Sequence, residues 1–243
     1  MATYHNPSSD LRKKVAKKIM KPCSTLLRGF YYVKGYLMDL IYQAAAKYVA
    51  LQQYEYEFVL SHRRKTRKIK LSFSDKEFFH LAGLQHLTDI QIPRNKNKTL
   101  DYILFSRAIT DETIGKSKFF REKIPEGNIK SRIEELSFLE EYLDTNNIIK
   151  IFSIKNQRNL SSLIDADYII ESQISAGITV YIFLKCINDA TGECRLISFF
   201  KKENIAYGGD ILYWMMKTKH NTFTTKENLR GFQRKRCQHQ FRS

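Results

Sequence analysis

Apolar and polar residues change period more than once along this chain. Between about Thr25 and Gln53, Tyr32, Tyr36, Leu40, Ala44, Tyr48 and Leu51 recur every three or four positions, the spacing of a helix with one face toward a core. Tyr54-Glu55-Tyr56-Glu57-Phe58-Val59-Leu60 then alternates, as a half-buried strand does. A basic run, Arg63-Arg64-Lys65-Thr66-Arg67-Lys68, reads as a turn, and Ile69-Lys70-Leu71-Ser72-Phe73 alternates again. The pattern predicts a hairpin feeding directly into a helix that runs on to Leu87. Ser74 and Glu77 stand at capping-box spacing, and Asp75 adds negative charge at the positive end of the helix dipole. From Phe78 onward this helix is apolar on nearly every side, which is the pattern of a buried element.

Further on, Leu100 to Ile109 has helical spacing, and residues 128–144 form one helix with Ile129, Ile133, Leu136, Leu139 and Leu143 on a single stripe. The final third reads as strands: Ile148–Ile154, Tyr168–Ser172, Ile178–Lys185, Cys194–Phe200 and Ile211–Lys217. Turn residues separate several of them, as in Asn188-Asp189-Ala190-Thr191-Gly192 and Gly208-Gly209-Asp210. Short connections make antiparallel neighbours. The predicted class is α+β, with N-terminal helices and a β-hairpin–helix unit packed on a C-terminal antiparallel sheet.

Charge changes this picture most. The formal net charge is +16, and it sits at the two ends. Residues 1–70 carry fifteen Lys/Arg against four Asp/Glu, residues 71–150 twelve against thirteen, and residues 151–243 fourteen against eight. Such a field attracts polyanions, nucleic acid first and anionic membrane second. A basic amphipathic helix is expected from Asp10 to Lys21, and a basic tail from Lys226 to Ser243. The four cysteines, at 23, 186, 194 and 237, form no C-x-x-C pair and no zinc spacing, which points to a reducing, cytoplasmic setting. No secretory signal is expected, and the apolar region near residues 36–51 is broken by Asp39 and Lys47, so no membrane span is expected either.

The signatures of a P-loop, a dinucleotide fold, a zinc peptidase and a serine hydrolase are all absent from the sequence. Asp165 and Asp167 suit either a metal or an ordinary turn at a strand start. Arg234 and His239 have a ribonuclease-like spacing in a polar tail with no apolar stripe to hold it. His80 is the residue of most interest, flanked by Leu84 and Leu87 and followed one turn later by Gly83, which leaves room for a close approach. It suits a hydrogen-bonded core histidine or a group whose pKa moves across neutrality. With Arg195, Ser198, Lys201, Lys202 and Tyr207 it makes a set of residues sufficient for cutting RNA without a metal. That reaction needs a base for the 2′-hydroxyl, an acid for the leaving oxygen, and donors for the pentacovalent phosphate.

Phe78-x-His80-Leu81-x-Gly83-Leu84, after an alternating basic hairpin, resembles the phage-type nuclease domains grouped with barnase, EndoU, colicin and RelE, specifically the fourth such family. Ser162-Leu163-Ile164-Asp165-Ala166-Asp167-Tyr168 resembles that family's entry into its sheet, and Ser198-Phe199-Phe200 with Tyr207 its later strand and tyrosine turn. The family pattern has a threonine after the tyrosine and a glutamine four after it, where this chain has Gly208 and Ile211. The resemblance covers about residues 54–220, leaving 1–53 as a basic helical extension and 221–243 as a basic tail.

It implies a metal-independent endoribonuclease without cofactor, a toxin of a phage or mobile element, cleaving RNA through a 2′,3′-cyclic phosphate. His80 would be the acid/base, Arg195 and Ser198 would contact the phosphate, and Tyr207 would support them. Arg63, Arg64, Lys65, Arg67, Lys68, Lys201 and Lys202 would hold the RNA backbone. A toxin implies a protein antitoxin or immunity partner, expected to be acidic. Two other readings stay open: a non-catalytic nucleic-acid-binding protein of a mobile element, and a basic peripheral membrane protein anchored by residues 10–21.

Overall fold

The alternation of Tyr54–Leu60 is that of a strand buried on one side, and in the computed structural model Tyr56, Phe58 and Leu60 all point into the core. The structure describes residues 39–121, 128–153, 164–175, 177–203 and 207–222. The expected basic helix 10–21, the segment before Asp39, the Arg234/His239 spacing and the tail lie outside these residues.

Helix α1 (Leu40–Leu51) turns Ile41, Ala44, Ala45, Tyr48 and Leu51 inward. Its first backbone N–H groups are satisfied from elsewhere: the Asp111 carboxylate accepts from Leu40 and Ile41 at 2.6 and 3.1 Å. In return the Asp39 carboxylate accepts from the Asp111 N–H at 2.8 Å, at the start of a short helix covering Asp111–Ile114. Each helix start thus caps the other, which replaces the water both would lose on packing.

Strands β1 (Tyr54–His62) and β2 (Lys65–Leu71) form the expected hairpin, but its turn is only two residues long. Arg63 and Arg64 both have positive φ, 49° and 65°, the left-handed geometry that a two-residue turn needs to match strand twist. Lys65, Arg67 and Lys68, expected in the turn, therefore belong to β2. Helix α2 (Asp75–Leu81) follows and is shorter than expected. Gly83 at φ +75° ends the helical run, and Leu84–His86 continue as a single 3-10 turn.

The single helix expected over residues 128–144 is two, α5 (Ile129–Leu136) and α6 (Leu139–Asp144), after α3 (Thr99–Leu104) and α4 (Asp111–Ile114). Phe138 leaves the helical region at φ −110°, ψ 9°, and its ring lies under the Lys47 ammonium at 4.9 Å. Across the break, the Tyr142 hydroxyl of α6 donates to the Glu135 carboxylate of α5.

Strands β3 (Ile148–Ile151), β4 (Tyr168–Ser175), β5 (Ile178–Asn188), β6 (Glu193–Glu203) and β7 (Ile211–Asn221) complete the sheet. The α+β class holds, but the hairpin does not pack on a separate antiparallel sheet. The order is β1-β2-β6-β5-β4-β3-β7, with β7 returning to β1 to close a barrel. One junction is parallel: β2 meets β6 through Lys70–Glu193 and Leu71–Cys194 alone. Past Cys194, β6 pairs with β5 only among the described strands, and its other side faces α2 and α5. Gly192, at φ +71°, makes the junction possible. A Cβ there would come within 2.1 Å of the Lys68 carbonyl, and the Gly192 carbonyl accepts from Lys70 N–H at 2.7 Å.

Alternate residues of the same strands feed two cores. Ile170, Ile182 and Phe199 join the helices in the larger one. Ile169, Tyr181, Phe183 and Phe200 join Phe152 and Tyr207 in a smaller aromatic cluster on the opposite face.

Candidate active site

Glu77 fixes the start of α2. Its carboxylate accepts from the Ser74 N–H at 3.0 Å, the Ser74 hydroxyl at 2.9 Å and the Tyr48 hydroxyl at 3.2 Å. These bonds anchor the N-terminus that the capping-box spacing foretold. His80, one turn on, is half-buried, with the Phe79 ring edge-on at 5.8 Å.

Its surroundings are cationic rather than the apolar stripe expected. Burial first, then the charges of Lys96, His86 and Arg132, hold the imidazole below its ordinary pKa of 6.5. A shift in that direction favours the neutral imidazole, which can accept a proton. Lys96 and Arg132 make the surroundings of His80 attractive to an anion. Lys96 comes from the 3-10 turn Lys96–Lys98, and His86 from the turn after Gly83.

Arg132 is the residue that sequence reasoning missed. It lies on α5 at 2% exposure, between Ile129 and Ile133 on the buried stripe. Its Nε donates to the Phe199 carbonyl at 2.9 Å and its Nη2 to the Ser198 hydroxyl at 3.2 Å. The guanidinium lies 5.7 Å from the centre of the Phe200 ring. Gly83 supplies the room: a Cβ on it would come within 3.1 Å of Nη1 and 3.3 Å of Cδ. The available signal was position, since an arginine three residues after Ile129 and four before Leu136 must face inward.

The structure therefore brings His80 and Ser198 to the same buried cation. Arg195 is close to this group through Glu77, its Nε 3.9 Å from the carboxylate and its side chain 40% exposed. Tyr207 stands apart. Its ring packs on Tyr181 and Phe183 at 4.8 and 5.3 Å, and Phe200, at 6.4 Å, is the layer between it and Arg132. Its backbone carbonyl accepts from Lys150, which pairs with Glu171 at 2.8 Å.

The basic residues of the hairpin are not beside His80. The length of β2 alone separates the Arg63–Arg64 turn from α2, roughly 23 Å at 3.3 Å per residue. Arg63 and His62 meet Asp210 at 2.8 and 3.2 Å, Lys68 pairs with Glu57 at 2.7 Å, and Arg67 donates to the Tyr168 hydroxyl at 3.2 Å. Arg64 and Lys65 are exposed. Lys201 pairs with Glu135 at 2.6 Å, and Lys202 lies over the Phe200 ring at 5.5 Å. Asp165 and Asp167 serve the fold: both pair with Lys185, and Asp167 also accepts from the Cys186 N–H at 2.8 Å. Among the described residues, no three of His, Cys, Asp and Glu gather to hold a metal ion, and no helix is long and apolar enough to cross a membrane.

No curated protein and no solved structure matches the chain. A family model described as phage-Barnase-EndoU-ColicinE5/D-RelE like nuclease4 matches residues 40–228, from the first described helix to beyond the last strand. With most of its length covered by that match, the chain belongs to this nuclease family, PBECR4.

Proposed function

We propose that this nuclease is a metal-independent endoribonuclease that cuts RNA by attack of the 2′-hydroxyl, with His80 as the acid/base. The observation that carries the reading is the half-buried His80 imidazole, held below its ordinary pKa by burial and by Lys96, His86 and Arg132. RNA brings its own nucleophile, so the protein must supply a base, charge and orientation. An arriving phosphate offsets the charges of Lys96 and Arg132 and raises the basicity of His80 as it docks. The imidazole then takes the 2′-hydroxyl proton, the oxygen attacks the adjacent phosphorus, and the 5′-oxygen leaves with a proton from the imidazolium. The products are a 2′,3′-cyclic phosphate and a 5′-hydroxyl.

Arg132 acts from behind the site, as a fixed charge that also holds Ser198. Arg195, the more exposed cation, contacts the phosphate together with Ser198, and Tyr207 supports the site by packing on Phe200. Arg63, Arg64, Lys65, Arg67, Lys68, Lys201 and Lys202 track the backbone of a longer RNA, and the basic stretches of sequence before Asp39 and after Thr222 add to that charge. In a phage or mobile element such an enzyme works as a cytoplasmic toxin, and its inhibitor is an acidic protein that covers these cations.

An oligonucleotide with one ribose among deoxyriboses tests the reaction. The expected result is a single cut after that ribose, unchanged by EDTA, leaving a cyclic phosphate, and no cut when the ribose carries a 2′-O-methyl group. Equal cutting of the all-deoxy strand, or a 5′-phosphate product, would overturn it.

A further inference from the structure

Cys186 and Cys194 face each other directly across the β5–β6 hairpin. Their sulfurs are 2.7 Å apart, well inside the about 4.0 Å of ordinary non-bonded packing. Directly opposed strand residues hold their Cβ atoms about 4.5–5.5 Å apart, close to the spacing a disulfide spans. The pair sits at the barrel's parallel junction, because Cys194 is the residue through which β6 meets Leu71 of β2.

We propose that Cys186 and Cys194 are a dithiol that a small-molecule disulfide oxidises to a cross-strand bond, Cys186 making the first attack and Cys194 closing the bond. The two sulfurs differ in the way this order requires. Cys186 is half-buried and within reach of solvent, whereas Cys194 is 1% exposed. The hydrogen bond from Cys194 holds the Cys186 thiol below its ordinary pKa against burial and the Asp167 and Asp189 carboxylates, and the same pairing with burial holds the Cys194 proton on. The Cys186 thiolate attacks one sulfur of the oxidant, which breaks the oxidant's S–S bond and releases one thiolate. Cys194 then gives up its proton, and its sulfur attacks the Cys186 sulfur of the mixed disulfide, expelling the second thiolate. Two electrons pass from the cysteine pair to the oxidant, which ends as two thiols. The new bond ties β5 to β6 at the strand that carries the junction with β2.

The test uses the full chain, folded, exposed to oxidised glutathione, quenched with iodoacetamide and digested with trypsin. Cleavage after Lys185 and Arg195 releases both cysteines on one peptide. The expected peptide carries no alkyl group and is lighter by two hydrogens than the reduced form. In Cys194→Ser the reaction should stop at a glutathione mixed disulfide on Cys186, and in Cys186→Ser the buried Cys194 should stay unmodified over the same time. Alkylation of both cysteines in the wild type, or glutathione on Cys194 in preference to Cys186, would overturn the proposal. The wild-type result needs no variant to fold.

Discussion

Gly83 and Arg132 occupy the same space: the hydrogen that Gly83 presents in place of a Cβ leaves the guanidinium of Arg132 its berth beneath the end of α2. The relationship joins two helices and brings a buried charge up to His80.

Gly83→Ala should act on both. The residue sits at φ +75°, where an L side chain costs about 1–2 kcal/mol, and the added methyl meets Arg132 at 3.1 Å. Thermal unfolding should show a loss of about that size. The acid limb of the pH–rate profile should move as the guanidinium shifts away from Ser198. An unchanged melting temperature would mean the contact is slack.

Arg132→Met should raise the pKa of His80 toward 6.5, since Arg132 is one of the charges that lower it. NMR titration of the His80 ring protons reads this directly. The variant also leaves the Phe199 carbonyl without a buried donor, a loss of about 1–3 kcal/mol in chemical denaturation. In the wild type, the depressed His80 contributes stability that is present above pH 6.5 and is lost as pH falls through its folded value. The rate constant kcat/KM should rise with pH through that same depressed pKa, and kcat through a higher one, because bound phosphate restores basicity.

The hairpin turn separates charge from fold. Replacing Arg63-Arg64 with Asn-Gly suits the positive φ of both positions, and the lost exposed contact of Arg63 with Asp210 is worth at most about 1 kcal/mol. Stability should hold or rise, while KM for a long RNA rises and its salt dependence flattens. A fall in melting temperature with no change in KM would show that these arginines serve the turn and not the substrate.

The capping box before His80 and the close approach at Gly83 were legible because each depends on local spacing. Strand positions were legible for the same reason, since the alternation of Tyr54–Leu60 depends on near neighbours. The role of Arg132 was not, because its place on the apolar stripe says that it faces inward but not what it binds, and its acceptors lie 66 and 67 residues away on β6. The parallel β2–β6 junction hid for a similar reason: two residue pairs leave no periodic trace. The break at Phe138 was not legible either, where the ring meets Lys47 from a distant segment.

The central claim is that His80 moves the proton. His80→Gln keeps a hydrogen-bonding side chain of similar reach and cannot cycle a proton near neutral pH. Single-turnover cleavage of a defined RNA in EDTA, with circular dichroism confirming the fold of both proteins, is the direct measurement. The account predicts a loss of about a hundredfold or more in rate with the melting temperature within about 1 kcal/mol equivalent of wild type. A folded His80→Gln protein that cleaves at the wild-type rate would contradict it.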